Sequence, residues 1–135
     1  MQLGNPPPDI AVQRVGGGLP ECRLRRVTAY IEGNLHAELR LAQLAAVIHM
    51  SRYHFARLFK QATGVSPHRF VLQRRIRAAA TLLGDSTPSI TAIARAVGFT
   101  TASHFSTTFR RSTGLTPTEY RRGRVVNTPA SGDQP

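Results

Sequence analysis

The stretch SRYHFARLFKQATGVSP, Ser51 to Pro67, places Tyr53, Arg57 and Lys60 four and three residues apart, with phenylalanines at 55 and 59 between them. On a helix of 3.6 residues per turn these donors and Ala56 face outward, while Phe55, Leu58, Phe59 and Ala62 face inward. A rigid rod carrying cationic and phenolic donors is suited to a polyanion. The neighbouring sequence points the same way, because eight basic residues and no acidic one lie between Glu38 and Asp85. Over 135 residues, 18 basic side chains stand against 7 acidic ones, a formal charge of +11. Nucleic acid is the commonest soluble polyanion. Lys60 is the single lysine of the 18, a bias that a GC-rich coding sequence explains better than selection for guanidinium does.

Other chemistries fail on spacing. His49 and His54 are five apart, about 140° around a helix, and no HExxH or Cys/His cluster accompanies them. None of the 7 acidic residues is paired with a histidine in sequence, so no catalytic constellation, metal site or cofactor is expected. Cys22 is the only cysteine, which excludes a disulfide framework and fits a reducing compartment. No apolar run could span a bilayer and nothing near Met1 resembles a secretory signal, so the cytoplasm is the expected location.

The elements that must carry the donors are helical almost throughout. Leu24, Val27, Tyr30, Ile31 and Leu35 predict a first helix over about 22–35. LRLAQLAAVIHM predicts a second that stops near His49, and Ser51 caps a third that ends at Gly64. Ser66 and Pro67 open a long helix to about Leu83, which GDSTPS breaks. The order then repeats: ITAIARAV, a turn at Gly98, a helix over about 101–112, and a last helix opened by the capping box Thr116-Pro117-Thr118-Glu119. Residues 1–21 and 125–135 are predicted to be disordered tails, the first being rich in proline and glycine.

The repetition is explicit. SRYHFARLFKQATGVSP returns as TASHFSTTFRRSTGLTP, Thr101 to Pro117. Positions 51–70 and 101–120 share six identities, His54/His104, Phe55/Phe105, Phe59/Phe109, Thr63/Thr113, Gly64/Gly114 and Pro67/Pro117, most of them cap, turn or core positions. The repeat keeps a scaffold and varies a surface. A short helix, a tight turn and a second helix with one apolar face describe a helix-turn-helix. Ala45 and Ala94 supply the small residue where the two helices cross, and Met50 and Phe99 are placed to plug the angle between them.

The segment from LAQLAAVIHMSRYHFARLFKQATGVSPHRFVLQRRIRAAATLL through SITAIARAVGFTTASHFSTTFRRSTGLTPTEYRR resembles the DNA-binding domain of the AraC/XylS family of bacterial transcription regulators. The resemblance covers about Leu24 to Arg122 and is strongest over AVGF and HFSTTFRRSTGLTPTEYRR. It implies an all-α domain over 22–124 of about seven helices. Two helix-turn-helix subdomains, about 41–63 and 90–112, are joined by a linker helix over about 67–83. It further implies that one recognition helix from each subdomain enters successive major grooves. A 17-residue linker helix is roughly 25 Å long, against roughly 34 Å between groove entries on one DNA face; the widths of the subdomains or some DNA bending make up the difference. One chain could then read a bipartite site as a monomer.

The residues implied at the DNA are Ser51, Arg52, Tyr53, Ala56, Arg57 and Lys60 in the first unit, and Thr101, Ala102, Ser103, Ser106, Thr107 and Arg110 in the second. Tyr53 and Arg57 match positions that touch base edges, where arginine can bond guanine O6 and N7 together. Arg52, Lys60, Arg110 and Arg111 suit phosphates or a solvated surface. For Arg74, Arg75 and Arg77, DNA contact and simple solubilisation stay open. The chain departs from the family at His49, where a glycine or another turn-tolerant residue is usual, and at Ala102, Ser103, Ser106 and Thr107, where larger polar side chains or arginine are common. The family's large sensing or dimerising domain has no counterpart before the first helix, so the chain is expected to be a stand-alone member or a fragment. Two other classes stay open: a low-specificity nucleoid or RNA-binding protein, and an interaction module contacting RNA polymerase.

Overall fold

Most of the helices start where a side-chain cap coincides with apolar residues at helical spacing. The computed structural model describes residues 18–130, and among them are seven α-helices and no strand. Helix α1, Glu21–Gly33, ends where the Asn34 side chain donates to the Tyr30 carbonyl at 2.8 Å. In α2, Leu41–Val47, Gln43 Oε1 reaches back to accept from the Arg40 N–H at 2.8 Å. Ser51 Oγ accepts from His54 N–H to start α3, Arg52–Thr63, and Ser66 Oγ accepts from Arg69 N–H to start α4, Pro67–Leu82. Ser89 caps α5, Ile90–Ala96, and Thr101 caps α6, Ala102–Thr113. Before α7, Pro117–Ala130, Thr116 N–H donates to Glu119 Oε1 at 2.9 Å while Glu119 N–H donates to Thr116 Oγ1 at 3.1 Å. Each such cap satisfies backbone donors that lack a partner inside the helix.

Two compact units result. The first holds residues 18–34 and Leu39–Val71; the second holds Leu35–Glu38 and residues 72–130. In the first, Val27 and Ile31 of α1, Leu44 and Ala45 of α2, Phe55 and Phe59 of α3 and Val71 of α4 are buried. In the second, Ile76, Ala79, Ile93, Ala94, Phe105 and Phe109 are buried together, with Tyr120 packed against them. The ring geometry is copied between units. Phe55 and Phe59 are 5.4 Å apart and Phe59 meets Phe70 edge-on at 5.2 Å; Phe105 and Phe109 are 5.6 Å apart and Phe109 meets Tyr120 edge-on at 5.2 Å. All four phenylalanines of α3 and α6 are fully buried, each contributing about 1.5–3 kcal/mol by leaving water.

Some boundaries differ from those the sequence predicts. The first helix stops at Gly33, and Leu35 is buried in the following segment within the second unit. Its helical spacing is a coincidence of a leucine buried by tertiary packing. Ala62 is exposed, because burial in α3 centres on Phe55 and Phe59 and a methyl near the helix end reaches little. The expected tail over 1–21 holds at its end Leu19, which is 7% exposed, so the folded part begins before α1; residues 1–17 lie outside the described ones. At the other end α7 continues to Ala130, past the predicted boundary at 124, since no proline falls between Pro117 and Pro129 to stop it. Residues 131–135 lie outside the described ones.

Candidate nucleic-acid interface

In the first unit, α2 and α3 are joined by a turn through Ile48, His49 and Met50. Met50 N–H donates to the Ala45 carbonyl at 3.0 Å, and His49 takes φ 57°, the left-handed conformation that reverses the chain. In the second unit, Phe99 N–H donates to the Ala94 carbonyl at 2.9 Å and Gly98 takes φ 95°. The two turns share one hydrogen bond and one handedness, and Thr100 makes the second turn a residue longer before its cap. Ala45 and Ala94 are each 1% exposed, small enough for the helices to cross closely. These are two helix-turn-helix motifs.

The second helix of each motif turns a stripe to solvent. On α3, Arg52, Tyr53, Arg57 and Lys60 are exposed, Tyr53 at 85%. At 100° per residue, Tyr53, Arg57 and Lys60 fall within about 60° of one another and opposite the phenylalanines. On α6 the matching positions are Ser103, Thr107 and Arg110, all exposed. The caps Ser51 and Thr101 are exposed at the helix starts. Ala56, Ala102 and Ser106, expected to face outward, are half-buried. Ala56 and Ser106 follow a buried phenylalanine directly, which puts them on the flank of the apolar face.

The electrostatics suit an anion. Helices α2, α3, α4, α5 and α6 have no acidic residue in the first turn, so the positive end of each macrodipole meets no carboxylate of its own helix. Of the arginines along α4, Arg77 is exposed and Arg75 is half-buried, its guanidinium pushed below the ordinary arginine range by burial. Arg75 Nε donates to the Leu35 carbonyl at 3.1 Å and one Nη to the Ala37 carbonyl at 2.7 Å. Its partners lie 40 and 38 residues back in sequence, and no local pattern announces them. No group of histidines, cysteines or carboxylates among the described residues could hold a metal ion, and none of their helices is long and apolar enough to cross a membrane.

Residues 44–123 match the family model described as "Helix-turn-helix domain". The chain belongs to the AraC/XylS family. It is 34% identical over 119 residues to the regulatory protein PocR of Salmonella typhimurium, an alignment covering 87% of this chain and 39% of PocR. Among solved structures it resembles an AraC-type transcriptional regulator from Chromobacterium violaceum, with a TM-score of 0.73 and 34% identity over 77% of this chain and 93% of that one. It also resembles the DNA-binding domain of the global transcriptional factor AdpA in complex with a target DNA, with a TM-score of 0.75 and 32% identity over 79% of this chain and 96% of that one. The chain spans under half the length of the curated relatives first matched, 37% to 39% for two of them. As an AraC/XylS domain it shares the fold of DNA-binding transcription regulators.

Proposed function

We propose that this chain is the sequence-specific DNA-binding part of a bacterial transcription regulator, working in the cytoplasm and reading a bipartite promoter site with α3 and α6. The observation that carries this reading is the duplicated helix-turn-helix, whose second helices each keep a buried phenylalanine pair and an exposed polar stripe. Likeness to AdpA, solved on its target DNA, supports it over a low-specificity nucleoid or RNA-binding protein. Two readers on one chain make a symmetric partner unnecessary, so the chain binds as a monomer. Arg57 donates to base edges through its fork and Tyr53 through its hydroxyl. Ser51, Arg52, Lys60, Thr101 and Arg110 hold the helix starts and flanks against phosphates.

Binding sites selected from a random DNA pool with the full chain test this proposal. A bipartite, non-palindromic consensus of about two helical turns is expected, with log K falling against log salt at a slope of about 0.9 per phosphate neutralised. An absence of any consensus would return the chain to the low-specificity class. A flat salt response would remove it from nucleic acid altogether.

A further inference from the structure

Two arginines of the second unit make the same unusual contact. Arg75 on α4 sends Nε to the carbonyl of Leu35 and an Nη to that of Ala37, at 3.1 and 2.7 Å. Arg121 on α7 sends Nε to the carbonyl of Leu83 and an Nη to that of Asp85, at 3.4 and 2.9 Å. In both cases one guanidinium grips alternate carbonyls of a segment that has just left a helix, and in both the first carbonyl belongs to a buried leucine. A planar fork holds both carbonyls in one orientation, which a flexible ammonium cannot reproduce.

The Arg75 grip lies against the turn of the second helix-turn-helix, and the Arg121 grip holds the segment that leads into it. The segment held by Arg121 runs through Thr87, whose N–H donates to Asp85 Oδ1 at 3.0 Å, to the Ser89 cap of α5. The segment held by Arg75 backs onto the turn between α5 and α6. A Cβ added to Gly98 would collide with the Leu35 carbonyl oxygen and stand 2.7 Å from Arg75 Nε. One arginine therefore fixes the entry to α5 and the other fixes what lies behind the turn to α6.

We propose that Arg75 and Arg121 are positioning residues for DNA reading by the second helix-turn-helix, fixing α6 through backbone carbonyls rather than by meeting phosphates. This rests on the reading that α3 and α6 serve separate half-sites, and the wild-type footprint tests that reading first: protection of a single half-site would sink it before any variant is made.

The experiment is footprinting and affinity against salt for the full chain, on the DNA site that the wild type selects, with Arg75→Lys and Arg121→Lys. Both variants keep the charge and lose the fork. The expected result is protection of the first half-site as in wild type, protection of the second weakened about tenfold, and an unchanged salt slope. A phosphate contact is less sensitive to this exchange, since lysine still supplies the point charge there. Wild-type binding by both lysine variants overturns the proposal, as does equal weakening of both half-sites. If Arg75→Lys fails to fold by circular dichroism, Arg121→Lys is judged on the same footprint; failure of both to fold makes the grips purely structural and also overturns it.

Discussion

The two helix-turn-helix motifs share their caps, their buried phenylalanine pairs and the handedness of their turns, and differ most in what they show to a partner. Thr63 and Thr113 place Oγ1 2.9 Å from the carbonyls of Phe59 and Phe109 respectively, and each also accepts the N–H two residues on. Gly64 and Gly114 close their helices at φ 88° and 87°. Against that sameness, α3 offers Tyr53 and Arg57 where α6 offers Ser103 and Thr107. The turns differ more subtly. Both need left-handed backbone at the second position after the first helix, and only one forbids a side chain there. His49 is exposed, whereas Gly98 backs onto the Leu35 carbonyl and Arg75. Turn handedness thus belongs to the motif, and the demand for glycine belongs to what packs behind it.

The largest effect that sharpens this contrast is expected from Gly98→Ala. It combines a left-handed backbone that L residues resist with a collision against backbone, and costs about 3 kcal/mol or more. Thermal and urea melts of the variant measure it. A cost below about 1 kcal/mol would mean that the segment around Leu35 yields easily and that the second turn is no more constrained than the first.

Next in size is the difference between the reading faces. A bidentate arginine–guanine contact discriminates by about 1–3 kcal/mol, so Arg57→Ala is expected to flatten preference at one or two base pairs of the first half-site. Thr107→Ala is expected to cost well under that range with little change of consensus. Site selection with the wild type and both variants checks this. A second half-site more sharply defined than the first would reverse the assignment of the dominant reader.

How far these features were legible beforehand follows from their range in sequence. Caps at Ser51, Ser66 and Thr116, and the paired phenylalanines of α3 and α6, depend on residues three or four apart, so a pattern of residue types captures them. The left-handed turn was legible because Gly98 stands opposite His49 in the repeat. The grips of Arg75 and Arg121 were not, because their acceptors are carbonyls, which every residue has, and lie 36 to 40 residues away. For the same reason a half-buried arginine of α4 could not be told from its exposed neighbour Arg77. Ala56 and Ser106 were misplaced because a small residue beside a core phenylalanine carries no polarity or bulk to show which side of the boundary it takes.

A smaller effect tests the first turn. His49 sits at φ 57°, where a residue with a Cβ is strained and glycine is not. His49→Gly is therefore expected to stabilise the chain by roughly 0.5–1 kcal/mol, the strain relieved being partly offset by the extra freedom of glycine in the unfolded chain. A clear loss in a thermal melt would show that the imidazole makes a stabilising contact and that the turns differ by more than what packs behind them.

The smallest expected difference lies at the start of the helix after each reader. Position 69 in the first unit is arginine and its equivalent in the second is Glu119, whose carboxylate accepts the Thr116 N–H. That bond, and after it the Thr116 hydroxyl, holds the Glu119 carboxyl below its ordinary range, with Arg110 and Arg122 adding a little charge. A carboxyl depressed in the folded state contributes stability that is present above its unfolded value, about 4.3, and is lost as pH falls through the folded one. The cap of α7 should accordingly weaken in acid, while that of α4, built on Ser66, has no carboxylate to titrate. Glu119→Gln keeps an acceptor at the same place without the charge. It is expected to lower the melting temperature slightly near pH 7, where the wild-type carboxylate is ionised, and to flatten the fall from neutral pH to the acid side of about 4.3, so that the two proteins converge in acid. Melting curves of the wild type and the variant across that interval decide it: parallel curves would show that the carboxylate adds nothing to the cap that a neutral oxygen does not, and the two helix starts would then be equivalent in acid as well as in geometry.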